Sequence, residues 1–195
     1  MDLDGIAKAL AHPREGWDVS GREPSAVAVP LVEGASGIEI WIIRRPATMR
    51  LHAGELAFPG GKRDPSDATL FDTALREIEE ELGVPRDKTR HLGTLCAVPV
   101  ATSRFAIHPF AIAVDASVTP VVAPGEVAEL VRAPMASFFD GTIGYAQVDM
   151  KTYVSPIFRF GERNMYGASA HILLELLERC GTLPKPDRVE KAPWL

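Results

Sequence analysis

The 195-residue chain carries 21 Lys and Arg against 26 Asp and Glu, a formal net charge of −5 at pH 7. That balance excludes a protein built around a broad basic surface for nucleic-acid backbone, but not one that holds a phosphorylated small molecule with a few local groups. At 46% hydrophobic residues the chain suits one domain that needs no disulfide or metal staple, and no apolar run approaches the ~20 residues of a membrane span.

Residues 1–24 read as an N-terminal extension with a short helix at Leu3–Leu10 and irregular chain from His12 to Pro24. Acids precede the apolar residues at the start, unlike a secretory signal, so a reduced cytoplasmic compartment is expected. Cys96 and Cys180 are accordingly expected as buried thiols rather than a disulfide. Apolar runs at Ala26–Val32 and Ile38–Ile43, separated by Glu33-Gly34-Ala35-Ser36-Gly37, predict a hairpin. Glu55–Phe58 then runs into Pro59-Gly60-Gly61, which suits a type II turn because only its second central position needs positive φ.

Ser66, Asp67 and Thr69 offer caps for a helix that runs to Leu82, with Gly83 just past its end. Leu92–Val100, Ala106–Val114 and Val127–Val131 predict further strands, and Pro134–Phe139 one short turn of helix. Thr142–Phe160 is ambiguous. Ala168–Arg179 is an amphipathic helix closed by Gly181, and the proline-rich, charged tail from Pro184 is expected to be loose. Strands outnumber the helices, which argues for a mixed α/β sandwich over a doubly wound parallel sheet.

The most informative segment is Leu75-Arg76-Glu77-Ile78-Glu79-Glu80-Glu81-Leu82-Gly83. At about 100° per residue, Leu75, Ile78 and Leu82 share one narrow arc and must face the core. Glu77, Glu80 and Glu81 share another, so three carboxylates converge on one patch. Such like charges repel even when solvated. A solvated acidic face is one reading of the helix taken alone. A hard divalent cation held by carboxylates, water and substrate phosphate is the other.

Upstream residues decide between them. The run Gly61-x5-Asp67-x8-Arg76-Glu77-Ile78-x-Glu80-Glu81-x-Gly83-Val84 resembles the Nudix box, G-x5-E-x7-R-E-U-x-E-E-x-G-U, where U is a bulky aliphatic residue. It departs twice, with Asp67 where glutamate is usual and one extra residue before Arg76. These departures, together with Arg50-x3-Gly54-x3-Phe58-Pro59-Gly60-Gly61, resemble the coenzyme A pyrophosphatase branch. Tyr166-Gly167-Ala168-Ser169-Ala170 is similar to that branch's W-G-x-T-A. Ile42-Ile43-Arg44-Arg45-Pro46 replaces the usual L-L-T-x-R run, and Arg104 stands where glycine is common. These misfits bear on the substrate, not on the chemistry.

The resemblance implies an α+β fold, a Nudix-type α/β/α sandwich with a mixed central sheet. It spans residues 25–181, with 182–195 a C-terminal tail. It also implies metal-dependent hydrolysis of the pyrophosphate of coenzyme A or its thioesters to 3′,5′-ADP and a 4′-phosphopantetheine product. Another nucleoside diphosphate derivative (ADP-ribose, a dinucleotide or a capped RNA end) and a catalytically silent nucleotide-binding module are the alternatives.

With Mg²⁺ or Mn²⁺ as cofactor, Glu77 and Glu81 would be the principal ligands, Glu80 a third ligand or the base acting on water, and the Gly61 carbonyl a further donor. Arg76 would orient a glutamate of the box. Two glycines at Gly60 and Gly61 would let backbone approach the metal. Arg50, Phe58, Gly60, Lys62 and Arg45 are the substrate-side residues, with Arg50 chosen for the substrate phosphates and Arg44 and Arg45 the candidates for a 3′-phosphate. Glu126 and Glu129 are the candidates for one extra carboxylate after the box. No broad nucleic-acid grip and no membrane contact are expected, and a homodimer is left open by the superfamily's habits.

Overall fold

Residues 1–48, 53–151, 153–184, 186 and 189–191 are described by the computed structural model; Arg50 and His52, and most of the tail beyond Pro184, lie outside the described residues. The chain runs α1 (Leu3–Leu10), β1 (Glu23–Gly34), β2 (Gly37–Arg44), β3 (Leu56–Ala57), β4 (Gly60–Lys62) and α2 (Leu70–Leu82). There follow β5 (Thr89–Thr94), β6 (Val98–Pro99), β7 (Phe105–Val114), β8 (Glu129–Pro134), α3 (Ala136–Phe139), β9 (Gly144–Asp149), β10 (Val154–Phe160), β11 (Arg163–Met165), α4 (Gly167–Cys180) and β12 (Val189–Lys191).

The strands form a mixed eight-stranded sheet and a second sheet of four, ordered β11-β10-β9-β12. In the larger sheet β1 pairs in parallel with β7 from Glu23 to Val32, so β7 fills one edge of β1. The other edge is shared: β2 takes Leu31–Gly34, and β4 takes Ser25–Val27. β2 shows the same division. β8 fills one edge, while β1 and then β3 take the other, the latter at Ile43 and Arg44. The sheet therefore forks between β1 and β2, and the segment from β3 to β4 is wedged into the fork. Ala28 N–H donates to the Pro59 carbonyl at 2.9 Å, pinning the tip of the wedge.

Alternation along the strands sorts the core into two layers. Ala26, Ala28, Val32, Trp41, Ile43, Ile112 and Val114 face α2 through Ala74, Leu75, Ile78 and Leu82. Val27, Val29, Leu31, Ile38, Ile40 and Ile42 face the other way, onto α1, α4 and the second sheet. This is an α/β/α sandwich. The N-terminal helix belongs to it: Ile6 and Leu10 are buried, and Arg179 of α4 donates to the Ala9 and His12 carbonyls. Both cysteines are free. Among the described residues no helix is long and apolar enough to cross a membrane.

The α2 termini follow the sequence. Thr69 and Asp72 form a reciprocal capping box, a device worth about 1 kcal/mol, and Gly83 ends the helix at φ 64°. The expected type II turn at Pro59-Gly60 is corrected, because neither Gly60 nor Gly61 has positive φ. Both lie in β4, and what they supply is the missing Cβ. A Cβ on Gly60 would stand 2.3 Å from the Ala26 carbonyl oxygen. The tail is also more ordered than its composition suggests, since β12 pairs in parallel with β9. Composition is blind to a strand that exists only through a distant partner. Thr142–Phe160 resolves into the antiparallel pair β9 and β10. Leu92–Val100 divides into β5 and β6.

Candidate active site

Burial of Leu75, Ile78 and Leu82 against the sheet fixes the rotation of α2. Glu77 and Glu81, one turn apart on its flank, are thereby aimed at β4. Glu81 is 4% exposed and accepts from the Gly60 N–H at 3.3 Å. Glu77, with 12% side-chain exposure, is so close to Gly61 that a Cβ there would sit 2.3 Å from its Oε1. The wedge in the fork thus brings bare backbone against two carboxylates.

Arg76 organises the surrounding charge. Its guanidinium reaches Asp67 at 3.2 Å, Glu77 at 2.9 Å and Glu80 at 2.8 Å, and donates to the Lys62 carbonyl at 3.0 Å. Asp67 is itself buried and also accepts from the Asp64 N–H and the Thr73 hydroxyl, both at 2.9 Å. Burial alone would raise its pKa, but the bonds from Arg76, Asp64 and Thr73 outweigh that and lower it to about 2. Arg63 adds bonds to the Asp67 and Ala68 carbonyls. The loop before α2 is therefore an ionic platform that holds Arg76 in place. Sequence marked Asp67 as a departure from the usual glutamate and as one candidate cap; the cap is Thr69, and Asp67 is anchored instead by its six-residue reach to Thr73.

The carboxylate pair is electrostatically unsettled. Burial, the neighbouring Glu77 charge and Glu126 raise Glu81 to about 8, against the opposing pull of Arg45 and the Gly60 N–H. Glu77 is also raised, chiefly by burial, with Arg76 opposing. Two like charges withdrawn from water beside a backbone that accommodates no side chain form a hard oxygen donor set. Its chemistry fits a divalent cation, and the Gly61 gap is where a side chain would intrude.

The expected convergence of three carboxylates is corrected. Glu80 is 50% exposed and turned back to Arg76, four residues earlier. Among the described residues, no three His, Cys, Asp or Glu side chains are gathered as a ready metal cage. An arc of about 100° is wide enough that only part of it faces the sheet. A preformed cage is also not what Mg²⁺ requires, since it keeps several waters and uses one or two carboxylates plus substrate oxygens.

The other predicted residues divide. Arg45 lies close enough to act on Glu81, and among the described residues its buried Nε has no hydrogen-bond partner. Glu126 acts on both Glu77 and Glu81, whereas Glu129 is gripped by Arg44 at 3.1 Å and Arg163 at 2.7 Å. Lys62 stands over the Phe105 ring at 4.7 Å, at the exposed end of β4. Phe58, expected on the substrate side, is instead 2% exposed in the core, where it plugs the fork. Alternation explains this: Leu56 and Phe58 are both inward, and the segment is a strand before it is a loop. Arg104, one of the misfits, pairs with Glu23 at 2.9 Å. One contact had no sequence signal. The Tyr166 hydroxyl donates to Glu55 Oε1 at 2.9 Å across 111 residues.

The NUDIX domain family model matches residues 22–149, which includes the platform, the wedge and α2. The chain is similar to proteins called uncharacterized Nudix hydrolase NudL. It is 32% identical to that of Citrobacter koseri over 186 residues, 90% of this chain and 92% of the relative. It is 36% identical to that of Yersinia enterocolitica over 126 residues, 65% of this chain and 64% of the relative. The chain thus matches somewhat under two thirds of the Yersinia protein, and half of the relative from Photorhabdus laumondii. In fold it is similar to a MutT/nudix family protein from Enterococcus faecalis, with a TM-score of 0.56 at 14% identity over 85% of this chain and 64% of that one. A Nudix hydrolase from M. smegmatis, RenU, gives a TM-score of 0.50 at 21% identity over 60% of this chain and 73% of that one. With its box on a capped helix, its glycine wedge beneath the carboxylates and a family match over most of its length, the chain belongs to the Nudix hydrolase family.

Proposed function

We propose that the chain hydrolyses the pyrophosphate of coenzyme A or its thioesters, giving 3′,5′-ADP and a 4′-phosphopantetheine product, with Mg²⁺ or Mn²⁺ as cofactor. The observation that carries this reading is the pair of buried Glu81 and partly buried Glu77 facing the bare backbone of Gly60 and Gly61. A carboxylate pair in that setting is costly unless a cation joins it. Glu77 and Glu81 would hold the cation, with Glu126 and the Gly61 carbonyl as further oxygen donors. A cation so held offsets the charge of a pyrophosphate and lowers the pKa of a bound water.

The chain's own side chains do the rest. Arg76, fixed by Asp67, holds Glu77 and Glu80 on the same terminal nitrogen of its guanidinium. Glu80 stands at the solvent rim, where it can serve as a third donor or take the proton of the attacking water. Arg45, whose buried Nε is unpaired among the described residues, is a substrate-side cation beside Arg50. The coenzyme A branch is supported by the Arg50-x3-Gly54-x3-Phe58-Pro59-Gly60-Gly61 lead-in of the sequence.

The test is a panel of coenzyme A, ADP-ribose, diadenosine polyphosphates and deoxynucleotides with Mg²⁺ or Mn²⁺, followed by product chromatography. Release of 3′,5′-ADP from coenzyme A at the highest kcat/KM is the expected result. Fast ADP-ribose cleavage with no coenzyme A cleavage would overturn the substrate, and binding without any turnover would favour the silent module.

A further inference from the structure

We infer that Tyr166 is a positioning residue for the active site: its hydroxyl, through Glu55, sets where Arg45 stands. The inference rests on the pyrophosphatase reading above only in taking Arg45 to face the substrate. Tyr166 stands between β11 and α4 and opens the Tyr166-Gly167-Ala168-Ser169-Ala170 run, and nothing in the box or its lead-in points to it. Its place is tightly determined. The next residue, Gly167, turns at φ 64°, which favours glycine, and its N–H donates to the fully buried Ser155 hydroxyl at 2.8 Å. Ser155 in turn donates to the Pro156 carbonyl at 2.8 Å. The turn that carries Tyr166 is therefore tied into β10 from below.

From there the hydroxyl reaches Glu55 at 2.9 Å. Glu55 and Arg45 are backbone partners: Arg45 N–H donates to the Glu55 carbonyl at 3.0 Å, and Gly54 N–H to the Arg45 carbonyl at 3.2 Å. Fixing the Glu55 carboxylate thus fixes the backbone pair, just past the ends of β2 and β3, that carries Arg45, whose charge acts on Glu81. A second tie between β11 and the main sheet, Arg163 to Glu129 to Arg44, has all three side chains roughly one-third exposed or more, so water competes with it. The Tyr166 to Glu55 bond is part-buried and charge-assisted, and of the two it is the one that sets position. A phenol and an indole each offer one donor on a flat ring, so tryptophan is the conservative replacement and phenylalanine the deletion.

The experiment compares Tyr166→Phe and Tyr166→Trp, each with native Arg45 and with Arg45→Ala, for KM and kcat on the pyrophosphate substrate that the wild type cleaves best. Phenylalanine is expected to raise KM about tenfold, ~1.4 kcal/mol, with kcat within about twofold, and tryptophan to recover most of the loss. In the Arg45→Ala background the phenylalanine change should add less than about twofold. Partial unfolding would lower apparent kcat and leave KM alone. An unchanged KM in Tyr166→Phe, a tryptophan variant no better than phenylalanine, or full additivity with Arg45→Ala each overturns the inference. If the wild type cleaves nothing, the hydrolase reading fails by itself, and the same series is read as affinity for ADP with Mg²⁺ by calorimetry. Absence of binding by the wild type overturns both.

Discussion

Gly61 and Glu77 approach so closely that a Cβ at position 61 would lie 2.3 Å from the Glu77 carboxylate. The contact is with the far end of a flexible side chain, so Glu77 can move aside at small cost to folding. Gly61→Ala is therefore expected to fold with a thermal midpoint within a few degrees of wild type. Displacing Glu77 by an ångström or so costs on the order of 100-fold in kcat/KM. Steady-state kinetics beside a thermal melt checks this; near-native kcat/KM would show that Glu77 has no fixed position to lose.

Glu81 gives a prediction in which stability and activity move in opposite directions. Burial and Glu77 lift its pKa to about 8, above the ordinary value of 4.5. A carboxyl raised in the folded state contributes stability that is full below ~4.5 and is lost as pH rises through ~8. Metal-free protein should therefore melt several degrees lower at pH 8.5 than at pH 5.5. Glu81→Gln should flatten that slope and melt higher than wild type at pH 8.5, while its kcat falls by at least about 100-fold. Added Mg²⁺ should raise the melting point of wild type but not of the variant. A variant that keeps full rate would remove Glu81 from the proposed metal site.

Asp67 has the opposite sign. Despite its burial, bonds from Arg76, Asp64 and Thr73 lower its folded pKa to about 2, below the ordinary 3.8. Its stabilisation is present above ~3.8 and disappears as pH falls through ~2, amounting to about 2 kcal/mol. Urea denaturation of wild type and Asp67→Asn should give midpoints that differ at pH 6 and converge toward pH 2. A difference that does not shrink with acid would mean the ion pair to Arg76 is not its source.

Glu126 and Glu129 separate by their partners. Glu126 acts on the buried pair, whereas Glu129 is held by Arg44 and Arg163. Glu126→Gln is expected to lower kcat/KM by more than about tenfold, and Glu129→Gln by less than about threefold. The reverse order, measured on the same substrate, would exchange their places.

What the sequence shows well is whatever is written in local spacing. The α2 boundaries follow from Thr69 and Gly83, the β1–β2 hairpin from its glycines, and the rotation of the acidic helix from Leu75, Ile78 and Leu82. What it hides depends on distant partners. The Tyr166 to Glu55 bond spans 111 residues, and β12 exists only against β9. The type II turn read from Pro59-Gly60 gave Gly60 the wrong conformation, whereas the other reason for two glycines, that side chains would block a close approach, agrees with the contacts at Gly60 and Gly61. Helical arithmetic grouped Glu80 with Glu77 and Glu81, yet a guanidinium one turn away draws it to the rim. Phe58 shows the same limit: a motif flanking a site contains residues that build its foundation.

The fork between β1 and β2 gives the molecule a seam. β4 is stitched to β1, which β7 clamps along ten consecutive register positions. β3 is stitched to β2, which carries Arg45 at its end and β8 on its far side. Among the described residues β3 and β4 share no ladder, and Phe58 and Pro59 carry the chain across the open end of the fork, whose root is the β1–β2 ladder from Leu31 to Gly34. The carboxylate-facing glycines therefore sit on the stiff bank and Arg45 on the other. The spacing between the carboxylate-facing glycines and Arg45 is therefore set across the seam, by the β1–β2 ladder at its root and by Phe58 packed within it, and not by any pairing between the two strands that carry them.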